Sequence, residues 1–331
     1  MLYKGEFDIV VKTFLGVEEL LAGELTALGA TDVKLLKRAV ACRGDKRLVY
    51  KINLLARTAL RVLIPIATFK TGKEEGLYYH IKQIDWSKYM DVDQHPHIGL
   101  STLTYLFEGE VEHQDSTGTH QVIRAGDVGF MTSGSGVTHT ERTPKEQRNN
   151  DFIFPMHGYQ IWVALPKENE EMQPRFDFIP KEKLPQWREG NLDVVLVAGE
   201  GFGRKSPLKV YSPLFMVHVK AKEATFLEIN GQLKGEIAIV VTKGKVEDDG
   251  ITVEAGQMLI SKTEDECSIH LAENTELLLF GGQPLPEERF MYWNFVSSSK
   301  ERLEKAKEDW KNKRFPKIKE DDTYIPLPSK R

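Results

Sequence analysis

The chain is short of cysteine, of long apolar runs and of excess charge of either sign. Its two cysteines, Cys42 and Cys267, lie far apart among 331 residues. They give no disulfide framework and favour a reducing compartment. No stretch approaches the roughly 18 apolar residues that a membrane-spanning helix requires, and the opening Met-Leu-Tyr-Lys-Gly-Glu-Phe-Asp has no uninterrupted apolar segment of the secretory kind. A cytoplasmic protein without a membrane partner is expected. The formal charge of −4 excludes a strongly basic protein that coats nucleic acid. The balance is uneven, because residues 1–94 carry 15 Lys and Arg against 12 Asp and Glu, a net +3 that leaves −7 for the remainder.

Against that ordinary background one constellation stands out: His95-Pro-His97, and later His139-Thr-Glu141. On an extended strand, side chains two apart point to the same face, so each pair presents two metal-binding atoms side by side. Two such pairs on neighbouring strands would hold one ion. Three imidazoles and a carboxylate suit a first-row divalent metal, and the donor list alone does not choose among iron, manganese, nickel, copper and zinc. His113 and His120 fall on the strands in between, where a surface, pocket-lining or ligand-supporting place is open to each. Gly199-Glu-Gly201-Phe-Gly203 lacks the spacing of a dinucleotide loop and leads into Lys205-Ser-Pro207 instead of a helix.

Residues 1–94 alternate strand-like and helix-like stretches: Phe7–Thr13 extended, Val17–Leu28 helical, Asp32–Arg43 extended, Lys46–Leu55 helical, Ala59–Phe69 extended and Gly76–Ile84 helical. That order predicts a small α+β, ferredoxin-like segment. Beyond His95 come short β-rich runs, among them Leu103–Phe107, Glu110–His113, His120–Arg124, Val128–Thr132 and Tyr159–Ala164, punctuated by Gly, Asp and Ser. The pattern predicts a jelly-roll barrel. A degenerate repeat predicts two barrels in tandem: Glu108-Gly-Glu-Val-Glu112 returns as Lys243-Gly-Lys-Val-Glu247, and Ala125-Gly-Asp127 as Ala255-Gly-Gln257. The same offset puts Asn230 and Gln232 where the first copy has His95 and His97, so the second barrel is expected to be metal-free. The fold class is therefore mainly β. Its expected divisions are an α+β segment at 1–94, a metal-binding barrel at 95–190, a metal-free barrel at 191–296, and a C-terminal helix and tail at 297–331. In that tail, three serines precede a Glu- and Lys-rich helix with Leu303, Ala306 and Trp310 on one side.

From His95 onward the sequence resembles the pirin family. The resemblance is carried by His95-Pro-His-Ile-Gly-Leu-Ser-Thr-Leu-Thr-Tyr-Leu-Phe-Glu-Gly109, His113-Gln-Asp-Ser116, Gly126-Asp-Val128, His139-Thr-Glu141 and Tyr292-Trp-Asn-Phe-Val-Ser-Ser-Ser-Lys-Glu-Arg302. It implies a bicupin with one mononuclear metal, usually Fe(II), in the first barrel, held by the positions that here are His95, His97, His139 and Glu141. It also implies quercetin 2,3-dioxygenase activity on a flavonol, in which Glu141 is both a metal ligand and the catalytic base. The alternative that it carries is a metal-dependent, redox-sensing cofactor for a transcription-factor partner. Phe107, Met131 and His113 are the expected pocket lining.

The first 94 residues are similar instead to the start of the THUMP-domain ribosomal RNA methyltransferases, through Gly16-Val-Glu-Glu-Leu-Leu-Ala-Gly-Glu-Leu25, Tyr50-Lys-Ile-Asn-Leu-Leu-Ala-Arg-Thr-Ala59 and Ile84-Asp-Trp-Ser-Lys-Tyr-Met90. That likeness implies an RNA-binding fragment, and a charge of only +3 over 94 residues predicts weak, strongly salt-dependent affinity. Neither a Gly-rich cofactor loop nor an Asn-Pro-Pro-aromatic motif follows. The chain thus reads as a fusion, and the N-terminal strands that a pirin places ahead of its His-Pro-His are replaced. An unpaired sheet edge that favours aggregation or oligomerisation is the expected consequence unless residues 59–94 cover it.

Overall fold

Alternating burial along the first strand sets the architecture of the N-terminal unit. In the computed structural model, which describes residues 5–65, 91–148, 155–248, 250–261 and 268–328, β1 (Phe7–Lys12) turns Ile9 and Val11 inward. Helix α1 (Glu18–Leu28) buries Leu21 and Leu25, and α2 (Lys46–Leu55) buries Leu48 and Ile52, each pair four residues apart on one helical face. With β2 (Thr31–Leu36), β3 (Ala39–Gly44) and β4 (Arg61–Leu63), the sheet order is β2-β3-β1-β4, the expected ferredoxin-like arrangement. Asp45 caps α2 by accepting from the Leu48 amide at 2.9 Å, and left-handed Gly29 ends α1. The Asp32–Arg43 stretch is a hairpin and not one strand. It turns at Arg38 (φ 58°), whose amide is held by the Glu18 carboxylate at 2.9 Å, a tertiary contact in place of a glycine signal. Cys42 is a buried thiol of this core. The predicted helix over Gly76–Ile84, the end of the Ala59–Phe69 run and Cys267 lie outside the described residues.

The chain divides into two compact units, residues 1–86 and 87–331. The second unit begins with β5 (Asp91–His97), β6 (Leu100–Glu108), β7 (Glu110–Asp115), β8 (His120–Arg124), β9 (Val128–Thr132), β10 (Val137–Arg142), β11 (His157–Ala164) and β12 (Arg175–Ile179). These form two antiparallel four-stranded sheets, β5-β10-β7-β8 and β11-β6-β9-β12. Gly134 (φ 49°) sits in the turn that launches β10. A Cβ there would lie 2.0 Å from the Met172 carbonyl oxygen, so the turn excludes other residues.

The second barrel follows: β13 (Gln186–Glu189), β14 (Leu192–Gly201), β15 (Arg204–Lys205), β16 (Leu214–Ala221), β17 (Thr225–Glu228), β18 (Glu236–Lys243), β19 (Lys245–Asp248), β20 (Ile251–Glu254), β21 (Met258–Ser261), β22 (Ser268–Leu271) and β23 (Thr275–Gly282). Its large sheet runs β13-β14-β16-β23-β18-β21 and its small sheet β17-β22-β19-β20. The repeat read from sequence is structural, because Gly109 and Gly244 open matching hairpins at φ 81° and 74°, and Gly126 and Gly256 match at 87° and 85°. The interior of this barrel is apolar, with Leu227, Val246, Ile269 and Leu271 on the small sheet, while Asn230 and Gln232 are exposed. Between the barrels, Leu103, Tyr105, Val128 and Phe130 pack on Val197, Met216, Val240 and Leu278. Tyr105 Oη meets His218 Nδ1 at 2.9 Å, and His218 Nε2 meets Glu276 at 2.7 Å, which satisfies polar groups that burial would otherwise strand.

The open edge at β5 is covered from the other end of the chain. After β24 (Phe290–Tyr292) and β25 (Phe295–Ser297), helix α3 (Lys300–Lys311) starts at Ser299, whose hydroxyl accepts from the Arg302 amide at 3.2 Å, and buries Leu303, Ala306 and Trp310 as expected. The tail then runs beside β5. The Ile325 amide donates to the Gln94 carbonyl at 3.0 Å, the Gln94 amide donates to the Thr323 hydroxyl at 3.2 Å, and Arg142 pairs with Asp321 at 2.6 Å. Backbone groups that would template aggregation are thereby occupied.

Candidate metal centre

Strand register brings three of the four predicted donors together. On β10, His139 lies opposite His95 of β5, and Val137 lies opposite His97. Period-two alternation then turns His95, His97, His139 and Glu141 toward the barrel interior. Nitrogens of His95, His97 and His139 fall within 4.8 Å of one another, with ring centroids 4.2–5.1 Å apart. The register between β10 and β5 slips by one residue between His139 and Glu141, the extra residue lying on β5, so Glu141 falls opposite Val92. Glu141 belongs to a second group within the same 4.8 Å limit, made with His139 and His113. His139 is common to both.

Burial sets the charge state. His97 and His139 are fully inaccessible to solvent, and burial, followed by repulsion among the imidazoles, holds both well below the ordinary histidine pKa. His95 is lowered for the same first reason. Neutral imidazoles offer lone pairs, and here they have few other uses. His95 Nδ1 faces the Asp93 carbonyl at 2.9 Å, which makes it the protonated nitrogen and leaves Nε2 free. Nε2 of His139 is buried without a hydrogen-bond partner, and so are the nitrogens of His97 apart from a backbone contact at Asn294 that favours an N–H on one of them. Each such orphan costs about 1–3 kcal/mol. A divalent cation that took one nitrogen from each of the three rings would offset that cost, so the donor set fits a divalent metal.

Around Glu141, burial raises the carboxyl pKa, opposed by the neighbouring His113 imidazole and a hydrogen bond from Gln160. The Gln160 amide also donates to Thr104 Oγ1 at 3.2 Å and accepts from Trp162 Nε1 at 3.1 Å. Trp162 is 41% exposed and stands edge-on to His97 at 5.2 Å. Gln160 and Trp162 therefore form the solvent-side rim of the centre. Of the other lining residues expected, His113 is present, but Phe107 points into the inter-barrel cluster with His157 and His218. His120 is on the surface beside Glu112. Sequence reasoning passed over Asp115, which read as part of a turn. The signal was the third period-two pair, His113-Gln-Asp115, on the strand next to β10. Gln160 and Trp162 repeat that spacing on β11.

A double jelly-roll barrel with an imidazole-lined focus in its first half defines a cupin of the two-barrel class. The chain belongs to the pirin family: the pirin family model matches residues 73–163, and that of the pirin C-terminal cupin domain matches residues 214–316. The first match thus begins upstream of His95. Residues 8–63 match the RlmL ferredoxin-like domain. A pirin-like protein of Caulobacter vibrioides is 44% identical over 250 residues, 74% of this chain and 84% of that protein. A Pseudomonas aeruginosa protein whose name assigns it, provisionally, quercetin 2,3-dioxygenase activity is 36% identical over 66% of this chain and 67% of its own length. The crystal structure of a quercetin 2,3-dioxygenase from Acinetobacter baumannii superposes with a TM-score of 0.67 at 32% identity, covering 73% of this chain and 80% of that one. Among the described residues no helix is long and apolar enough to cross a membrane.

Proposed function

We propose that this chain is a cytoplasmic pirin-family dioxygenase that holds Fe(II) through His95, His97, His139 and Glu141 in a barrel spanning residues 95–190, and acts on a flavonol of the quercetin type. The barrel at 191–296 and the tail at 297–331 support the first without binding metal. The observation that carries the reading is the set of partnerless, buried imidazole nitrogens of His97 and His139 beside His95. The relatives named for quercetin dioxygenation supply the substrate class.

Iron bound here would supply redox access to O2 and polarise an oxygen donor of the substrate. The protein's own residues do the rest. Glu141 takes the flavonol hydroxyl proton on a carboxylate oxygen, a task suited to a carboxyl whose pKa is raised by burial. Gln160 keeps that carboxylate aimed, and the exposed face of Trp162 gives a flat aromatic ring a surface on which to lie. Oxygen uptake by iron-loaded protein with quercetin tests this. The expected result is uptake by the native chain and its loss in His97→Ala, whereas equal rates would refute the mechanism.

A further inference from the structure

Two buried side chains beside the centre have the geometry to decide which nitrogen of His139 faces the metal. His113 and Asp115 share one face of β7, and the register sets Asp115 opposite His139 and His113 opposite Glu141. Asp115 Oδ1 accepts from the Thr117 amide at 2.8 Å, the Thr117 hydroxyl at 2.6 Å and the Thr119 amide at 3.3 Å, the pattern of an ionised carboxylate. Its other oxygen, Oδ2, lies 3.1 Å from His113 Nε2, so that nitrogen carries the proton and donates. In a neutral ring Nδ1 is then the acceptor, and it faces His139 Nδ1 at 3.4 Å. The proton between them belongs to His139 Nδ1. His139 Nε2 is left as a bare lone pair, and it is the buried atom without a partner beside His95 and His97. The stacked ring of Phe176, 4.4 Å from His113, fixes the plane of the intermediate imidazole.

We propose that Asp115 and His113 are positioning residues that order protons along Asp115–His113–His139, locking His139 in its Nδ1–H tautomer and presenting Nε2 to the cation. This rests on the metal-centre reading and not on the flavonol. It assigns His113, which also falls within reach of Glu141 and His139, to a supporting place because both its nitrogens are committed. Ligating imidazoles commonly donate their second N–H to a carboxylate directly. Here a second imidazole is interposed, so reversing a single bond reverses both rings. Asp115→Asn should do so: its one oxygen stays with Thr117 and Thr119, its NH2 now faces His113 Nε2, and His113 must donate from Nδ1. His139 Nδ1 becomes an acceptor and Nε2 is blocked by a proton, as in the asparagine variant of a catalytic triad, where geometry survives with the wrong tautomer.

The test is long-range 1H–15N correlation of the full-length, metal-free chain labelled at histidine, at about pH 8, where imidazoles are neutral. His139 is assigned by the signal lost in His139→Gln. The native chain should show His139 protonated at Nδ1, and Asp115→Asn should show it at Nε2. Co(II) affinity, measured against a chromogenic chelator, should fall about 10- to 100-fold in that variant, while Thr117→Val, which spares the carboxylate, should keep the native tautomer and affinity. A native His139 protonated at Nε2 would overturn the relay without any variant. So would an Asp115→Asn chain with native tautomer and native Co(II) affinity. A native chain that shows the Nδ1–H form but takes up no Co(II) would sustain the proton order and refute the metal centre instead.

Discussion

Trp310 is the rivet of the strap that covers β5, and its removal should loosen the strand that carries His95 and His97. The indole is 4% exposed, stacks on Tyr324 at 4.6 Å and 17°, meets Phe315 edge-on at 5.7 Å, and donates from Nε1 to the Ile325 carbonyl at 2.9 Å. The next bond along is the Ile325 amide to the Gln94 carbonyl, one residue from His95. Truncating a buried tryptophan to alanine costs about 3–5 kcal/mol, and stranding the Ile325 carbonyl adds about 1 kcal/mol. If the loss of about 4–6 kcal/mol falls on opening of the strap, amides that it protects should exchange about a thousandfold faster or more, at 1.4 kcal/mol per decade. Trp310→Phe keeps most of the apolar contact and should lose only about 1–2 kcal/mol. Hydrogen exchange read by mass spectrometry on peptides covering residues 91–98 and 318–327 measures both segments in one experiment. The reasoning fails if Trp310→Ala accelerates the tail alone and leaves 91–98 at the native rate, because the strap would then decorate β5 without holding it.

Other perturbations follow from the same geometry. Glu276 is lowered to about 2 by its hydrogen bond from His218, which with Lys220 outweighs burial. The folded pKa lies below the unfolded one, so this carboxylate contributes stability above about pH 4.5 that is lost as pH falls toward 2. Glu276→Gln should therefore cost about 1.5–3 kcal/mol at neutral pH, and its urea midpoint should approach the native one as the medium is acidified below about pH 4. A gap constant with pH would show that the ionised Glu276 carboxylate does not stabilise the fold through its bond from His218. Gln160→Ala removes a hydrogen bond that favours ionised Glu141. The acidic limb of kcat/KM for quercetin should move to higher pH, and an unmoved limb would mean that Glu141 is not the titrating base.

Much of this arrangement was legible because it is local. Period-two spacing alone pointed to His95, His97, His139 and Glu141, and the strands over His120–Arg124 and Val128–Thr132 formed where alternation and turn residues placed them. Ser299 and Asp45 cap helices as short-range chemistry dictates. The repeated glycines located both barrels because a left-handed turn leaves few other choices. What escaped depends on distant partners. The turn at Arg38 is paid for by Glu18, 20 residues away. His218 has no spacing signal, since its partners Tyr105 and Glu276 lie 113 and 58 residues distant. Among the described residues the cover for β5 comes from residues 318–325, a pairing 229 residues long for Gln94 and Thr323. Asp115 was the exception, a local signal masked by the turn that it also makes with Thr117.

Elemental analysis of the purified full-length chain bears most directly on the central claim, that the three imidazoles exist to hold a cation. The native protein should retain about one first-row divalent ion per chain through gel filtration, and His95→Ala and His139→Ala, folded by circular dichroism, should retain essentially none. A native chain without metal that takes up none when iron, nickel or zinc is offered, or alanine variants that keep the native ion content, would contradict it.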